Sequence, residues 1–473
     1  MLKAVGRDSL ARNSALIMAS TVGTSGLGYL YWMVAARELP RPAIGTATAL
    51  ISAATVVSMV ANLGLGHMFI QRLPETGTAA WSRIVSAGLL LGCSATAFAS
   101  IAAALVLPRL AGNFAFLDGF TATAALVATA VALTASMLLD YVFVAHRASQ
   151  GMLWRNLALA AGKVLALAGL TAAGLASASA VVLAWTVPSL VVSAYTLRWS
   201  LPRLRPGYRP AVAGLGTELR HVRGSLTGHH LINLAQAGPS ALLPVLVTAR
   251  LGAAENAHFY VAWMTASVLF MVSPAVASAL YAERTNAAGA TLPRAAAVTL
   301  VVIGVPAAVL FVAGGWILGL FSPAYAAAGG LLLKILVLAA IPDAITNLAV
   351  AHWRSLGELR RCLWLNVLMA TACLTLTWLW LPSFGIEAAG LAWLTGQTLG
   401  ALLIAVNAGR RRLVRFVFCG FARVFGYAAR ERVAPRPRRP RGGPRPAAQG
   451  RPAPRSRRPS PHSRPRSRSW RVP

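Results

Sequence analysis

Twelve apolar segments, each about twenty residues long, follow one another along this chain up to residue 408. An apolar segment of 18 or more residues can cross the hydrocarbon core of a bilayer, which is about 30 Å thick. Backbone exposed to lipid must satisfy its own hydrogen bonds, so each segment is predicted to be a helix. The sequence therefore predicts an all-α polytopic membrane protein and excludes a soluble globular enzyme. The predicted segments are 14–35, 43–66, 84–107, 119–145, 157–175, 179–197, 225–249, 257–282, 295–320, 329–351, 362–381 and 388–408.

Basic residues are distributed unevenly among the loops between these segments. If the N-terminus lies in the cytosol, 18 Lys and Arg residues fall on the cytoplasmic side. Only Arg37, Arg41, Arg109 and Arg250 then fall outside. Short cytoplasmic loops of membrane proteins are enriched in Lys and Arg, so we expect both termini to be cytoplasmic.

The chain also repeats itself. Residues 36–39 (Ala-Arg-Glu-Leu) are matched by 249–252 (Ala-Arg-Leu-Gly), and a pattern of six residues within 144–155 recurs within 350–361. Two matches at similar offsets indicate two homologous lobes of six helices, arranged as parallel repeats. The predicted organisation is a cytoplasmic N-terminus (1–13), an N-terminal lobe (14–200), a cytoplasmic linker (201–224), a C-terminal lobe (225–409), a basic amphipathic interfacial segment (410–432) and a disordered Arg/Pro-rich tail (433–473).

The net charge of +32 is concentrated at the C-terminus. Residues 410–473 contain 20 Arg and one Glu. The segment 410–432 alternates Arg with aromatic residues, which favours a helix lying on the anionic inner leaflet. The remainder has too few apolar residues to fold. Such a tail can bind nucleic acid non-specifically, but lipid headgroups are the nearer anions, and nothing in the sequence specifies a nucleic-acid partner.

The N-terminal part of the chain resembles a known family. The pattern comprises Ala36-Arg37 with Leu39, then Gly45, then residues 61–66 (Ala-Asn-Leu-Gly-Leu-Gly) and 72–75 (Arg-Leu-Pro-Glu). It resembles the polysaccharide, or lipid-linked oligosaccharide, flippases of the multidrug/oligosaccharidyl-lipid/polysaccharide exporter superfamily. The resemblance covers roughly residues 10–410, although the second-half copy is degenerate. It implies two six-helix lobes around a central cavity, alternating access, an undecaprenyl-pyrophosphate-linked oligosaccharide as substrate, partner proteins of polysaccharide assembly and a place in the bacterial plasma membrane.

No catalytic or nucleotide-driven machinery is visible in the sequence. The motifs GxxxxGK[ST], HExxH and GxSxG are absent, and no predicted external loop is long enough to present catalytic groups. The four cysteines are scattered, which indicates neither a disulfide framework nor a metal site. We therefore expect no enzyme activity, no cofactor and no bound metal.

Ionisable residues inside the apolar segments are the informative ones, because each costs roughly 2.5–3.5 kcal/mol at mid-bilayer. Asp140 and Lys163 are predicted at similar depth, so they either form an ion pair or place one member in the cavity. Asp343 follows Pro342 and falls near Asp140 when shifted by the repeat offset. Both carboxylates are therefore candidates for ion coupling or intramembrane pairing. Lys334 is either a cavity cation or a residue that snorkels to the interface.

Arg37 and Arg250 occupy equivalent outer ends of the first helix in each lobe. Two guanidiniums facing a shared cavity could bind a pyrophosphate bidentately. The alternative is that both are anchors at the membrane interface. The predicted substrate-binding cations are thus Arg37, Arg250, Lys163 and Lys334. Two further function classes stay open: a drug or small-solute antiporter of the same superfamily, and a non-transporting scaffold for polysaccharide assembly.

Overall fold

The computed structural model describes residues 9–211, 229–286 and 292–409. These ranges contain twelve long helices and no strand. The predicted all-α fold of about twelve helices is confirmed. By length and hydropathy alone, nine of the helices in these ranges qualify as membrane spans. The long helices are α1 (Ser9–Glu38), α2 (Arg41–Ala61), α3 (Thr78–Leu110), α4 (Phe120–Ala145), α5 (Ser149–Ala172), α6 (Ala178–Tyr195), α7 (His229–Leu251), α8 (Ala253–Asn286), α9 (Leu292–Gly319), α10 (Pro323–Ser355), α11 (Leu359–Phe384) and α12 (Glu387–Gly409).

The second predicted segment, 43–66, is broken where the flippase-like motif 61–66 lies. The α2 helix ends at Ala61, and Leu63 and Gly64 follow with φ of 50° and 73°. This left-handed backbone stops a right-handed helix, and glycine adopts it without steric cost. A short separate helix, Leu65–Arg72, then follows.

The two halves repeat the same helix pairings, as expected for homologous lobes. In the first half α1 packs on α5, α3 on α4, and α5 on α6. In the second half α7 packs on α11, α9 on α10, and α11 on α12. Each pairing recurs with six added to both helix numbers. We therefore call α1–α6 the N-terminal lobe and α7–α12 the C-terminal lobe.

Contact between the lobes passes mainly through α2. It lies against both α7 and α8, while α1 also contacts α8. The 3₁₀ turn Gly112–Leu117, between α3 and α4, contacts α7. The largest cluster of buried apolar side chains runs through both lobes, including Trp32, Ile44, Val247 and Phe259. The lobes therefore share an apolar core in this conformation.

The first part of the predicted linker packs onto the N-terminal lobe. Arg205 donates to the carbonyl of Thr76 at 2.7 Å, and the ring of Tyr208 meets the edge of Trp81 at 5.3 Å. The amide of Ala211 donates to Ser86 at 3.0 Å. Residues 1–8, 212–228, 287–291 and 410–473 lie outside the described residues, so the predictions for the extreme N-terminus, the rest of the linker, the interfacial segment and the tail stay predictions.

Candidate functional site

The carboxylate of the N-terminal lobe, Asp140 on α4, forms an ion pair with Arg155 on α5. The Nη1 of Arg155 lies 2.7 Å from Oδ1 of Asp140, and its Nη2 donates to Ser136 at 2.7 Å. The side chain of Arg155 is only 4% exposed. Asp140 therefore has a guanidinium partner inside its own lobe.

Asp140 and Lys163 do not form the ion pair that was one of their two predicted arrangements, and the reason is the start of α5. The sequence placed that start near residue 157, but the helix begins at Ser149. The helix therefore begins eight residues earlier than predicted. At 1.5 Å per residue, Lys163 lies about 12 Å farther from the start of the helix than expected. The residue at the depth of Asp140 is then Arg155.

Lys163 instead lies on an aromatic ring. Its Nζ is 3.5 Å from the ring centroid of Trp185 on α6. Trp185 contacts Tyr31 and Trp32 of α1, with centroids 5.4 and 5.8 Å away, and Trp32 contacts Tyr260 of α8 at 4.8 Å. We call Tyr31, Trp32, Trp185 and Tyr260 the interlobe aromatic cluster. It links Lys163 to the C-terminal lobe, and no carboxylate of the described residues pairs with this lysine.

The carboxylate of the C-terminal lobe, Asp343 on α10, is 4% exposed and belongs to a chain of hydrogen bonds. Asn347 donates to Asp343 Oδ2 at 2.9 Å, Gln236 of α7 donates to Asn347 at 2.9 Å, and Arg354 donates to Gln236 at 3.1 Å. Arg354 also donates to Asn233 at 3.0 Å. Each donor in this amide relay points toward Asp343, so Oδ2 of the carboxylate is the final acceptor of the chain. Among the described residues no cation touches the carboxylate.

A cavity of about 350 Å³ adjoins this carboxylate within the C-terminal lobe. Its lining includes the polar residues Asp343 and Gln397 and the aromatic residues Trp263, Phe270 and Trp393. The three rings form a triangle with centroid separations of 5.0 to 5.7 Å. Aromatic faces and a carboxylate both attract cations, so the cavity is suited to a positively charged ligand.

The remaining predicted cations lie near the surface of the bundle. Arg37 is exposed and donates from Nε and Nη2 to the carbonyl of Leu320, at 3.1 and 2.8 Å. Arg250 is exposed, and its guanidinium lies 3.9 Å from the ring centroid of Trp378. Lys334 is exposed, with its Nζ 5.9 Å from the Phe311 ring. Their roles in binding a substrate stay predictions.

The sequence reasoning missed two kinds of residue. It counted Arg155 among the 18 cytoplasmic loop cations, but Arg155 lies on α5, six residues after the helix begins. Asp140 lies five residues before the end of α4. The two residues are therefore at similar depth on neighbouring helices. It also considered only ionisable groups, so it overlooked Gln236 and Asn347. The spacing of Asn347 four residues after Asp343 is the signal that could have found the relay, because residues four apart share a helix face.

No protein-family model matches the chain, and no curated protein matches it. Solved structures share its fold. It is similar to a multidrug resistance MATE family transporter of the MOP superfamily in an inward-facing conformation, with a TM-score of 0.56, 15% identity and coverage of 85% of this chain and 94% of that chain. It is similar to the lipid II flippase MurJ in an inward closed conformation, with a TM-score of 0.66, 12% identity and coverage of 88% and 93%. It is also similar to the MATE multidrug transporter DinF-BH in complex with R6G, with a TM-score of 0.57, 16% identity and coverage of 87% and 97%.

At these identities the likeness establishes the fold. The chain is a multi-pass membrane protein with the fold of the MOP superfamily transporters. The superfamily is the one that the motif pattern of the N-terminal lobe resembles. Residues 9–409 supply the twelve helices of that fold.

Proposed function

We propose that this protein is an alternating-access transporter of the bacterial plasma membrane that moves a lipid-linked, undecaprenyl-pyrophosphate oligosaccharide for envelope polysaccharide synthesis. The observation that carries the proposal is the position of Lys163. It has no carboxylate partner among the described residues and lies on Trp185, whose ring contacts lead to Tyr260 of the other lobe.

The charge of the substrate makes such a lysine useful. A pyrophosphate cannot cross hydrocarbon unaided, because burying an unpaired charge is very costly. A cation–π contact holds an ammonium without a counter-ion, so a protonated Lys163 has no carboxylate to displace before it binds an anionic ligand. The rings of Tyr31 and Trp32 are buried in this conformation, and separation of the lobes would expose them as apolar surface for a sugar ring.

The same location makes binding depend on conformation. Lys163 and Trp185 belong to the N-terminal lobe, whereas Tyr260 belongs to the C-terminal lobe. A rotation of one lobe against the other would separate Trp32 from Tyr260 and change the surroundings of the lysine. A transporter needs this difference in ligand affinity between its two states.

Asp343 is the better candidate for coupling to an ion. Asp140 is engaged by Arg155, whereas Asp343 lines a cavity and, among the described residues, receives only the neutral amide of Asn347. Protonation or cation binding at Asp343 would alter the relay to Gln236 and hence the contact of α7 with α10. Arg37, Arg250 and Lys334 are second-rank candidates for contact with the substrate.

The test is flipping of a fluorescent lipid-linked oligosaccharide by purified protein in proteoliposomes. Lys163→Ala should lower the initial rate roughly tenfold or more, as expected for the loss of a charge-assisted contact, and Lys163→Arg should retain much of it. Arg109→Ala is the control, because that residue is an exposed cation in the last turn of α3 and no role in binding is assigned to it. A wild-type rate in Lys163→Ala, at normal folding and insertion, would exclude Lys163 from the path.

A second candidate function is export of a small organic cation. It is favoured by the cavity in the C-terminal lobe, which Asp343, Trp263 and Trp393 all line. At about 350 Å³ the cavity falls in the lower range of small-molecule sites. Efflux of a fluorescent cationic dye that depends on Asp343, without flipping of the lipid-linked substrate, would decide for this alternative.

A further inference from the structure

Two neighbouring segments of opposite lobes approach each other unusually closely at the end of the bundle where α1 ends and α2 begins. An ideal Cβ placed on Gly45 of α2 would lie 1.6 Å from the carbonyl oxygen of Ala253, the first residue of α8. Real Cβ atoms essentially never approach other atoms below 3.0 Å. Any side chain at position 45 would therefore force the two lobes apart at this end.

Polar contacts reinforce the same place. Asn256 of α8 is fully buried, and its Nδ2 donates to the carbonyl of Gly45 at 3.1 Å and to Oγ1 of Thr48 at 2.9 Å. Thr48 in turn donates to the carbonyl of Gly45 at 3.0 Å. These bonds require the close approach that Gly45 allows.

Two more side chains cross between the lobes at this end. Asn113, between α3 and α4, donates to the carbonyl of Ala249 at 3.1 Å, and Arg37 donates twice to the carbonyl of Leu320. All of these crossings end on a backbone carbonyl or a neutral hydroxyl, and none is an ion pair. Such contacts are individually weak compared with a buried ion pair, so they can be broken when the lobes move.

We propose that Gly45, Thr48, Asn256 and the backbone of Ala253 form a latch that closes this end of the transport path. The inference rests on the proposed function, and it gives the flippase-like motif a physical reason: Gly45 is the residue without which the latch cannot close. The arginine bias of the loops predicts that this end faces outward.

The latch is also poised to open. The Oδ1 of Asn256 is buried, and no described residue donates a hydrogen bond to it. A buried acceptor without a partner is unfavourable, and opening this end to water would hydrate it. The closed arrangement is thus held by packing around Gly45 and opposed by one unsatisfied amide oxygen.

The test measures the separation of the lobes directly. Spin labels attached at Glu38→Cys and Ala254→Cys measure the distance between the lobes at this end, since both residues are exposed and belong to opposite lobes. The four native cysteines are replaced first. The otherwise unmodified reporter protein in nanodiscs should show a population with a short distance between the labels. Gly45→Val should abolish it, and Asn256→Ala should reduce it.

The matched control is Gly28→Val on α1, because the space around an ideal Cβ at Gly28 is empty. This variant should keep the short-distance population. A short-distance population of normal size in Gly45→Val would overturn the latch. If Gly45→Val does not yield folded protein, Asn256→Ala and Thr48→Val decide in the same way.

This measurement needs no substrate, so it separates the latch from the proposed function. If the unmodified protein does not flip the lipid-linked oligosaccharide while Gly45→Val opens this end, the proposed function fails and the latch stands. If flipping is observed and Gly45→Val flips at a normal rate with a normal distance, the latch fails and the proposed function stands.

Discussion

Arg155 donates to Asp140 across 2.7 Å, so the carboxylate of the N-terminal lobe is neutralised inside that lobe. The repeat equivalent of Arg155 is Arg361, which pairs with Glu358 at the start of α11. Glu358 corresponds to Met152 in the first half. In the second half this arginine therefore pairs with a residue of its own helix start, and within the described part of the chain Asp343 receives only the amide of Asn347.

The two carboxylates should consequently respond to substitution in opposite ways. Asp140→Asn removes the charge that Arg155 requires, and we expect a loss of about 1.5–3 kcal/mol of stability, the usual value of a hydrogen bond to a charged group. Asp343→Asn should leave thermal stability nearly unchanged and abolish cation-dependent transport. Thermal unfolding in detergent and transport in proteoliposomes measure the two effects.

A double substitution checks that the first effect belongs to the pair. Asp140→Asn combined with Arg155→Met should be more stable than Asp140→Asn alone, because no buried guanidinium is left without its carboxylate. If the stability loss of the double variant equals the sum of the losses in Asp140→Asn and Arg155→Met, Asp140 and Arg155 do not stabilise each other.

Much of the fold could be predicted from the sequence because the membrane limits what an apolar segment can do. Segments of about twenty residues had to be helices, and the recurring 36–39 pattern identified two lobes. The helix starts could not be predicted as well. Residues 149–156 carry Gln150, Arg155 and Asn156, which look like a polar loop. The two terminal guanidinium nitrogens of Arg155 bind Asp140 and Ser136 instead.

The candidate site was predictable only where a charge stood alone in an apolar segment. Asp343 was found in this way, and it does adjoin a cavity. The interlobe aromatic cluster and the amide relay could not be found, because Trp185 and Gln236 look like ordinary residues of an apolar segment. Their importance depends on contacts between helices, which the order of residues along one chain does not contain.

The relay should control how Asp343 responds to cations. Asn347→Ala removes the donor to Asp343 and the acceptor for Gln236. We expect the concentration of the coupling cation that half-activates transport to change roughly tenfold, as for one lost hydrogen bond to a charged group. If the cation is the proton, this change is about one pH unit. The rate at saturating cation should change less.

Asn366→Ala is the control for this experiment. Asn366 lines the same cavity but donates to the carbonyl of Cys362 in its own helix, at 2.8 Å. It should leave the cation dependence unchanged. An equal shift in both variants would mean that cavity shape, and not the relay, sets the response.

Acid should destabilise the loop between α4 and α5 through His146. The indole of Trp81 donates to Nε2 of His146 at 3.0 Å, so this nitrogen must be unprotonated. Burial and the nearby Arg205 guanidinium lower the pKa of His146 below its ordinary value. The unfolded chain then binds the proton more readily than the folded chain. The contribution of His146 to the free energy of unfolding is therefore complete above about pH 6.5 and is lost as the pH falls through the lowered pKa. His146→Gln should flatten the decline in Tm between about pH 7 and 5, whereas an unchanged decline would assign it to other groups.

Arg37 should act on the closure of the bundle, while Arg250 should not. Arg37 of the N-terminal lobe binds the carbonyl of Leu320 in the other lobe, whereas Arg250 stacks on Trp378 within its own lobe. Arg37→Ala loses up to two exposed hydrogen bonds, and we expect the closed fraction at this end to fall by at most roughly tenfold. Arg250→Ala should leave that fraction unchanged. The labels at positions 38 and 254 measure both. If each variant loses binding of the lipid pyrophosphate while the distances stay normal, the two arginines contact the substrate, as two cations in a shared cavity would.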